Sequence, residues 1–219
     1  MKNAFFFYIL LLFVSTTQGQ FNPETVTIGT QVWMKTNLDV STYRNGDPIP
    51  EVKDSVTWAN LTTGAWCYYN NDPENGKTYG KLYNWYAVND PRGLAPEGWH
   101  IPGNKEWNTL ILWIDPSADT TELIPVSTSA GGAMKEPGTI YWLDPNQDAT
   151  NSSGFTGLPG GVRGYERGFA SIGKACSLWS ITENDIATAW IYGILSRSGN
   201  ISRFYTNKHS GFYIRCVKN

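Results

Sequence analysis

The clearest hydrophobic pattern lies between Gly98 and Ile114 (GWHIPGNKEWNTLILWI), where Trp107, Leu110, Ile111 and Ile114 fall at i, i+3, i+4 and i+7. That spacing draws one apolar stripe along a helix and predicts a helix over 103–114. Gly103 stands at its N-cap, and Glu106 takes the glutamate place of a capping box. Glycine has no side-chain oxygen, so only half of that box is present. Asp115 and Pro116 end the run. A second helical period, through Leu82, Trp85, Tyr86 and Asn89, predicts a helix over 80–89.

Elsewhere the period shortens towards two. Val26, Ile28 and Val32 alternate around Gly29-Thr30 and predict a hairpin over 25–34. Trp66 to Tyr69 reads as a short strand, and Asn70 to Gly76 as a turn-dense run. The C-terminal third predicts a three-stranded meander of 190–195, 201–205 and 212–217, with turns at 198–200 and 207–211. In its last strand Phe212, Ile214 and Cys216 point one way, towards the helices, and Tyr213, Arg215 and Val217 the other. Trp179 and Trp190 are assigned to the core. The glycines of 131–132 and 155–164 lack the GK[ST] context of a phosphate loop and are read as tight turns.

The N-terminus changes the compartment. Lys2, the apolar run Phe5–Val14 and the small residues of Thr17-Gln18-Gly19 form a signal peptide over 1–19, with cleavage near Gly19-Gln20. The remaining 20–219 contains no linker or repeat and is expected to be a single domain, secreted or at the cell surface, with no membrane span. The formal charge is −2 and the cations are scattered, which argues against nucleic acid. Trp and Tyr are abundant, which suits a loop-rich β or α+β protein with half-buried aromatics.

Candidate chemistry is sparse. Cys67, Cys176 and Cys216 are odd in number and match no zinc spacing, and their pairing is left open. His100 is read as a core residue or part of the helix start, and His209 as a solvated turn residue. A Ser-His-Asp or Cys-His arrangement needs a base, and both histidines lie in unpromising places, so the chain is not expected to be an enzyme. No cofactor is expected. Calcium is the one candidate cation, for the oxygen-rich runs Asn71-Asp72-Glu74-Asn75 and Glu183-Asn184-Asp185. Their ordinary reading is Asx-rich turns. Surface recognition draws on strand aromatics and arginine, Tyr192, Arg203, Tyr205 and Tyr213. The candidate ligand-binding set is therefore Glu183, Asn184, Asp185, Tyr192, Arg203 and Tyr205.

Six ordered segments carry a family resemblance: VWMKTNLDVSTYRNGDPIP (32–50), YYNNDPENGKTYGKLYNWYAV (68–88), GWHIPGNKEW (98–107), NSSGFTGLPGGVRG (151–164), LWSITEND (178–185) and GFYIRCVKN (211–219). Together they resemble the Fibrobacter succinogenes major paralogous domain, exported bacterial proteins of unknown function. GWHIPGNKEW and GFYIRC are also distantly similar to segments of formylglycine-generating sulfatase-modifying proteins, within the C-type-lectin-like fold. These resemblances imply an α+β, C-type-lectin-like fold, with two short helices on a small, mostly antiparallel sheet and long irregular loops. They imply a non-catalytic binding module for a glycan or surface protein. The alternative is a structural or adhesive surface component, and a formylglycine-type enzyme is a distant third. The family resemblance also implies a disulfide between the position of Ala95 and Cys216, which Ala95 prevents here. The backbone is expected to keep that arrangement.

Overall fold

The computed structural model describes residues 22–166 and 168–219. The expected signal peptide over 1–19 lies outside them. In chain order the elements are β1 (Thr25–Ile28), β2 (Gln31–Met34), α1 (Ser55–Ala59), β3 (Trp66–Cys67), α2 (Pro73–Tyr79), β4 (Leu82–Tyr83), α3 (Trp85–Val88) and β5 (Trp99–His100). Then follow α4 (Asn104–Ile114), α5 (Ala130–Met134), β6 (Val162–Gly164), β7 (Gly168–Ala170), β8 (Ala175–Glu183), β9 (Thr188–Leu195), β10 (Ile201–Asn207) and β11 (Val217–Lys218). Short helices and antiparallel strand pairs separated by long loops make this an α+β architecture.

Helix α4 follows from its stripe. Trp107, Leu110 and Ile111 are fully buried and Ile114 is partly buried. Trp107 stacks on Tyr192 at 4.8 Å and lies 5.1 Å from Trp33, so the helix joins the N-terminal hairpin to the central strand β9. The half capping box forms as expected: Gly103 N–H donates to Glu106 Oε2 at 2.8 Å. Thr182 Oγ1 accepts from Asn104 N–H at 3.0 Å, so β8 satisfies a further orphan donor at the helix start.

The other predicted helix is corrected. Residues 80–89 divide into β4, which pairs with β3, and the four-residue α3. Gly80 closes α2 at φ 77°, and Asn84 interrupts the period by capping α3, its Oδ1 accepting from Ala87 N–H at 3.1 Å. Leu82 and Trp85 are buried all the same. Helix α2 itself begins inside the run read as turns, because Asp72 caps it and Pro73 occupies its first turn. Glycines 131 and 132, also read as turns, lie in α5. A Cβ on them would sit 2.1 Å from Asn200 O and 2.4 Å from Asp148 O, so a close approach of loops explains them.

The N-terminal hairpin forms in the expected register around Gly29-Thr30. The meander is shifted: its strands are β8, β9 and β10, in the order β10-β9-β8. The segment 212–217 leaves that sheet and runs through the middle of the protein. Phe212 exchanges hydrogen bonds with Tyr83, Tyr213 O accepts from Trp179 N–H, Ile214 O from Leu38 N–H and Cys216 O from Met34 N–H. Val217 then pairs with Trp33 and His100, completing the sheet β1-β2-β11-β5. Both sides of the segment are buried. Phe212, Ile214 and Cys216 join the core around α3, and Tyr213 and Val217 the core around α4, so the two helices share the segment rather than covering one face.

Candidate functional site

Glu183, Asn184 and Asp185 form the tip of the β8–β9 hairpin, where their oxygens are engaged locally. Asp185 Oδ1 accepts from the N–H groups of Ala187 and Thr188, both at 2.8 Å. The Ala187 bond first, and the Thr188 side chain next, hold its carboxyl below the usual range. Asn184 Nδ2 donates to Thr188 Oγ1, and Glu183 pairs with the buried Lys208. In the other oxygen-rich run, Asp72 caps α2, Glu74 pairs with Lys77 at 2.7 Å, and Asn75 Nδ2 donates to Tyr69 O. Among the described residues no three His, Cys, Asp or Glu side chains converge as a metal cluster would.

The strand residues separate by burial. Tyr192, taken from the sequence as a surface contact, is 1% exposed and belongs to the core. Its ring is held against Trp107, and burial pushes its phenol up to about 12. Tyr213 is equally buried. Arg203 and Tyr205 do come together. The cross-strand register sets Tyr205 opposite Trp190 and Arg203 opposite Tyr192 on one face of the sheet. Trp190, expected in the core, is only half-buried: Tyr205 meets it edge-on at 5.6 Å, and the Arg203 guanidinium lies 4.9 Å above it. Tyr205 is 56% exposed.

A larger concavity escaped the sequence. A cleft of about 870 Å³ opens over the face of the β1-β2-β11-β5 sheet that carries Thr25, Val32, Trp99 and Lys218. Its walls are the loops 40–46 and 94–98. Arg44 ties them together: its Nε and Nη2 donate to Ala95 O at 3.1 and 2.9 Å, and its backbone N–H to Gly93 O. Hydroxyls and amides from Thr25, Thr42, Asn22 and Asn45 alternate with Val32, Val40 and Leu94 around the lining, with Lys218 and Glu97 as charged groups.

The loop that supplies one wall continues into a second pocket of about 200 Å³, lined by Trp85, Tyr86, Asn89, Asp90 and Arg92. Arg92 clasps Asp90 and Asp47 and lies 4.0 Å above the Tyr43 ring. Burial, reinforced by Asp90, pushes the Tyr43 phenol up to about 12. The lining of the main cleft comes from positions 22–46, 94–99 and 218, which no local motif could have united.

The histidines and thiols are not among the lining residues of either concavity, although His209 packs behind Tyr86 of the second. His100, on β5, is half-buried with Nδ1 2.8 Å from Asn219 Oδ1. His209 sits in a turn as expected, but it is half-buried edge-on against Tyr86 rather than solvated, and burial lowers its pKa. Cys67, Cys176 and Cys216 are all buried and unbridged. Burial raises the first two thiols to about 11 and the third to about 12. Among the described residues no helix is long and apolar enough to cross a membrane.

No curated protein and no solved structure matches the chain significantly. The Fibrobacter succinogenes major domain matches residues 26–218, from the first strand of the hairpin to the last strand of the same sheet. On that span, the chain belongs to the Fibrobacter succinogenes major domain family.

Proposed function

We propose that this protein is an exported, non-catalytic recognition module that binds a glycan or a protein at the bacterial cell surface. The observation that carries this reading is the cleft above the β1-β2-β11-β5 sheet. Its volume lies in the range of ligand sites, and hydrogen-bonding groups are interleaved with apolar ones along its walls. Arg44 braces the two loops, which favours a site formed before the ligand arrives. The C-type-lectin-like arrangement is part of the same proposal. It rests on the GWHIPGNKEW and GFYIRC resemblances; the first contains β5, and the second runs directly into β11, which pairs with it.

The test is a binding screen of secreted, purified protein against glycans and envelope fractions, with calcium and with chelator. Binding is expected without a cofactor. Lys218→Ala and Asn45→Ala should weaken it at least tenfold, and equal binding by both variants would move the site elsewhere. Mass spectrometry of the same protein should place its first residue near Gln20, and a mature chain retaining Phe5–Val14 would count against export by cleavage. A structural or adhesive role is favoured by exposed Ile140 and Ile186, at 89% and 93%. It predicts retention on envelope material that cleft variants leave unchanged.

A further inference from the structure

The β10-β9-β8 sheet has two outer edges, and they are treated differently. Along β8 the edge is closed: Trp179 N–H donates to Tyr213 O and Ile181 N–H to Pro102 O. Along β10 it is closed only at the start. Ile201 exchanges bonds with Ser127, and Arg203 N–H donates to Leu123 O at 2.8 Å. Strand residues alternate the edge to which their backbone groups point. Ser202, Phe204 and Thr206 therefore bond inward to β9, and Arg203 and Tyr205 face outward. Past the Arg203 N–H, the covering segment has ended. The Arg203 carbonyl and both backbone groups of Tyr205 then have no backbone partner among the described residues.

The side chains beside this gap are unusual for a solvated edge. Arg203 lies over Trp190, its Nε is buried without a hydrogen-bond acceptor, and the ion pairs among the described residues do not include it. A guanidinium set beside the Tyr192 phenol and over an aromatic platform, with no carboxylate partner among the described residues, suits a carboxylate. Unpaired edge groups suit an extended chain, for which the protein's own segment 123–127 is the precedent.

We propose that the open half of β10 accepts an extended acidic segment of a partner protein as an added antiparallel strand, with a carboxylate of that segment on Arg203. A second copy fits less well. Two β10 strands paired about Tyr205 would set Arg203 opposite Asn207 and leave both guanidinium groups without an acid.

Amide hydrogen exchange on the secreted protein tests this directly. The probe is a capped six-residue peptide alternating Glu and Thr, at millimolar concentration. Without peptide the Tyr205 amide should exchange freely while Phe204 and Thr206 are protected. With it, Tyr205 protection should rise at least tenfold. Arg203→Gln should weaken binding at least fivefold. Tyr205→Pro should abolish it while leaving the inward bonds to β9 intact. Should that variant fold poorly, an N-methylated version of the peptide serves instead and should fail to bind the unaltered protein. The proposal is overturned by equal binding of a Lys/Thr peptide or of the N-methylated peptide. It is also overturned by unchanged Tyr205 exchange, or by Tyr205 protection in the absence of peptide accompanied by a dimer in sedimentation.

Discussion

Single residues set the energetic stakes, and Trp107 sets the highest. It is fully buried among Trp33, Phe155 and Tyr192, so truncation opens a cavity on the seam between α4 and two sheets. Trp107→Ala should cost about 3–5 kcal/mol in denaturant unfolding. A loss below about 1 kcal/mol would mean that the aromatic cluster collapses onto the void. Asp115, just past the end of α4, gives the chain a specific acid sensitivity. The hydroxyls of Ser117, Ser127 and Ser129 donate to its carboxylate at 2.6, 2.6 and 2.9 Å, and they hold its pKa at about 2 instead of 3.8. A depressed carboxylate stabilises the fold above its unfolded pKa, and that stability is lost as pH falls through the folded value. Melting temperature should therefore drop between about pH 4 and pH 2. Asp115→Asn should be less stable at neutral pH and flatter across that window.

Elements were legible in the sequence where local periodicity and burial agreed. Helix α4 has a 3.6-residue stripe facing one core, and the β1–β2 hairpin alternates around a glycine at φ 62°. In both, pattern and structure agree to within a residue. Strand β8 is not predicted by the pattern, because buried Ser177 and Ser180 interrupt its apolar alternation. The alternation of the C-terminal strand points to the wrong sheet because it suggests one wet face, whereas Arg215 and Val217 are nearly as dry as Ile214. The candidate site divided in the same way. Cross-strand register made Arg203 and Tyr205 neighbours as a strand reading implies, but the cleft depends on Arg44 joining loops some fifty positions apart. The implied pairing of positions 95 and 216 belongs at this scale. Ala95 and Cys216 lie in one buried cluster, on the segments that lead into β5 and β11. Ala95→Cys, refolded in oxidised glutathione, should bridge to Cys216 and gain about 2–4 kcal/mol. Thiol titration should then find two free cysteines of four, and a count of four would show the segments too far apart.

Across the whole molecule, buried cations bind distant segments to one another. Arg163 reaches the carbonyls of Val52, Lys53 and Asp54, and Lys135 those of Gln147, Leu195 and Ser198. Arg215 spans Met34, Asn37 and Phe155, so one side chain ties the C-terminal segment to the hairpin and to the glycine-rich loop. Arg215→Leu would leave several buried acceptors unpaired, at about 1–3 kcal/mol each. It should unfold most of the protein at ambient temperature, and a normal circular dichroism melt would refute that. The three unbridged thiols carry a different consequence. No covalent crosslink joins Cys67, Cys176 or Cys216, and burial keeps each of them protonated. A protein built this way matures without oxidative folding catalysts. Dithiothreitol should leave its melting temperature unchanged, and alkylating agents should label it only as fast as it unfolds. Its native fold is thus equally available on the reducing and the oxidising side of a membrane.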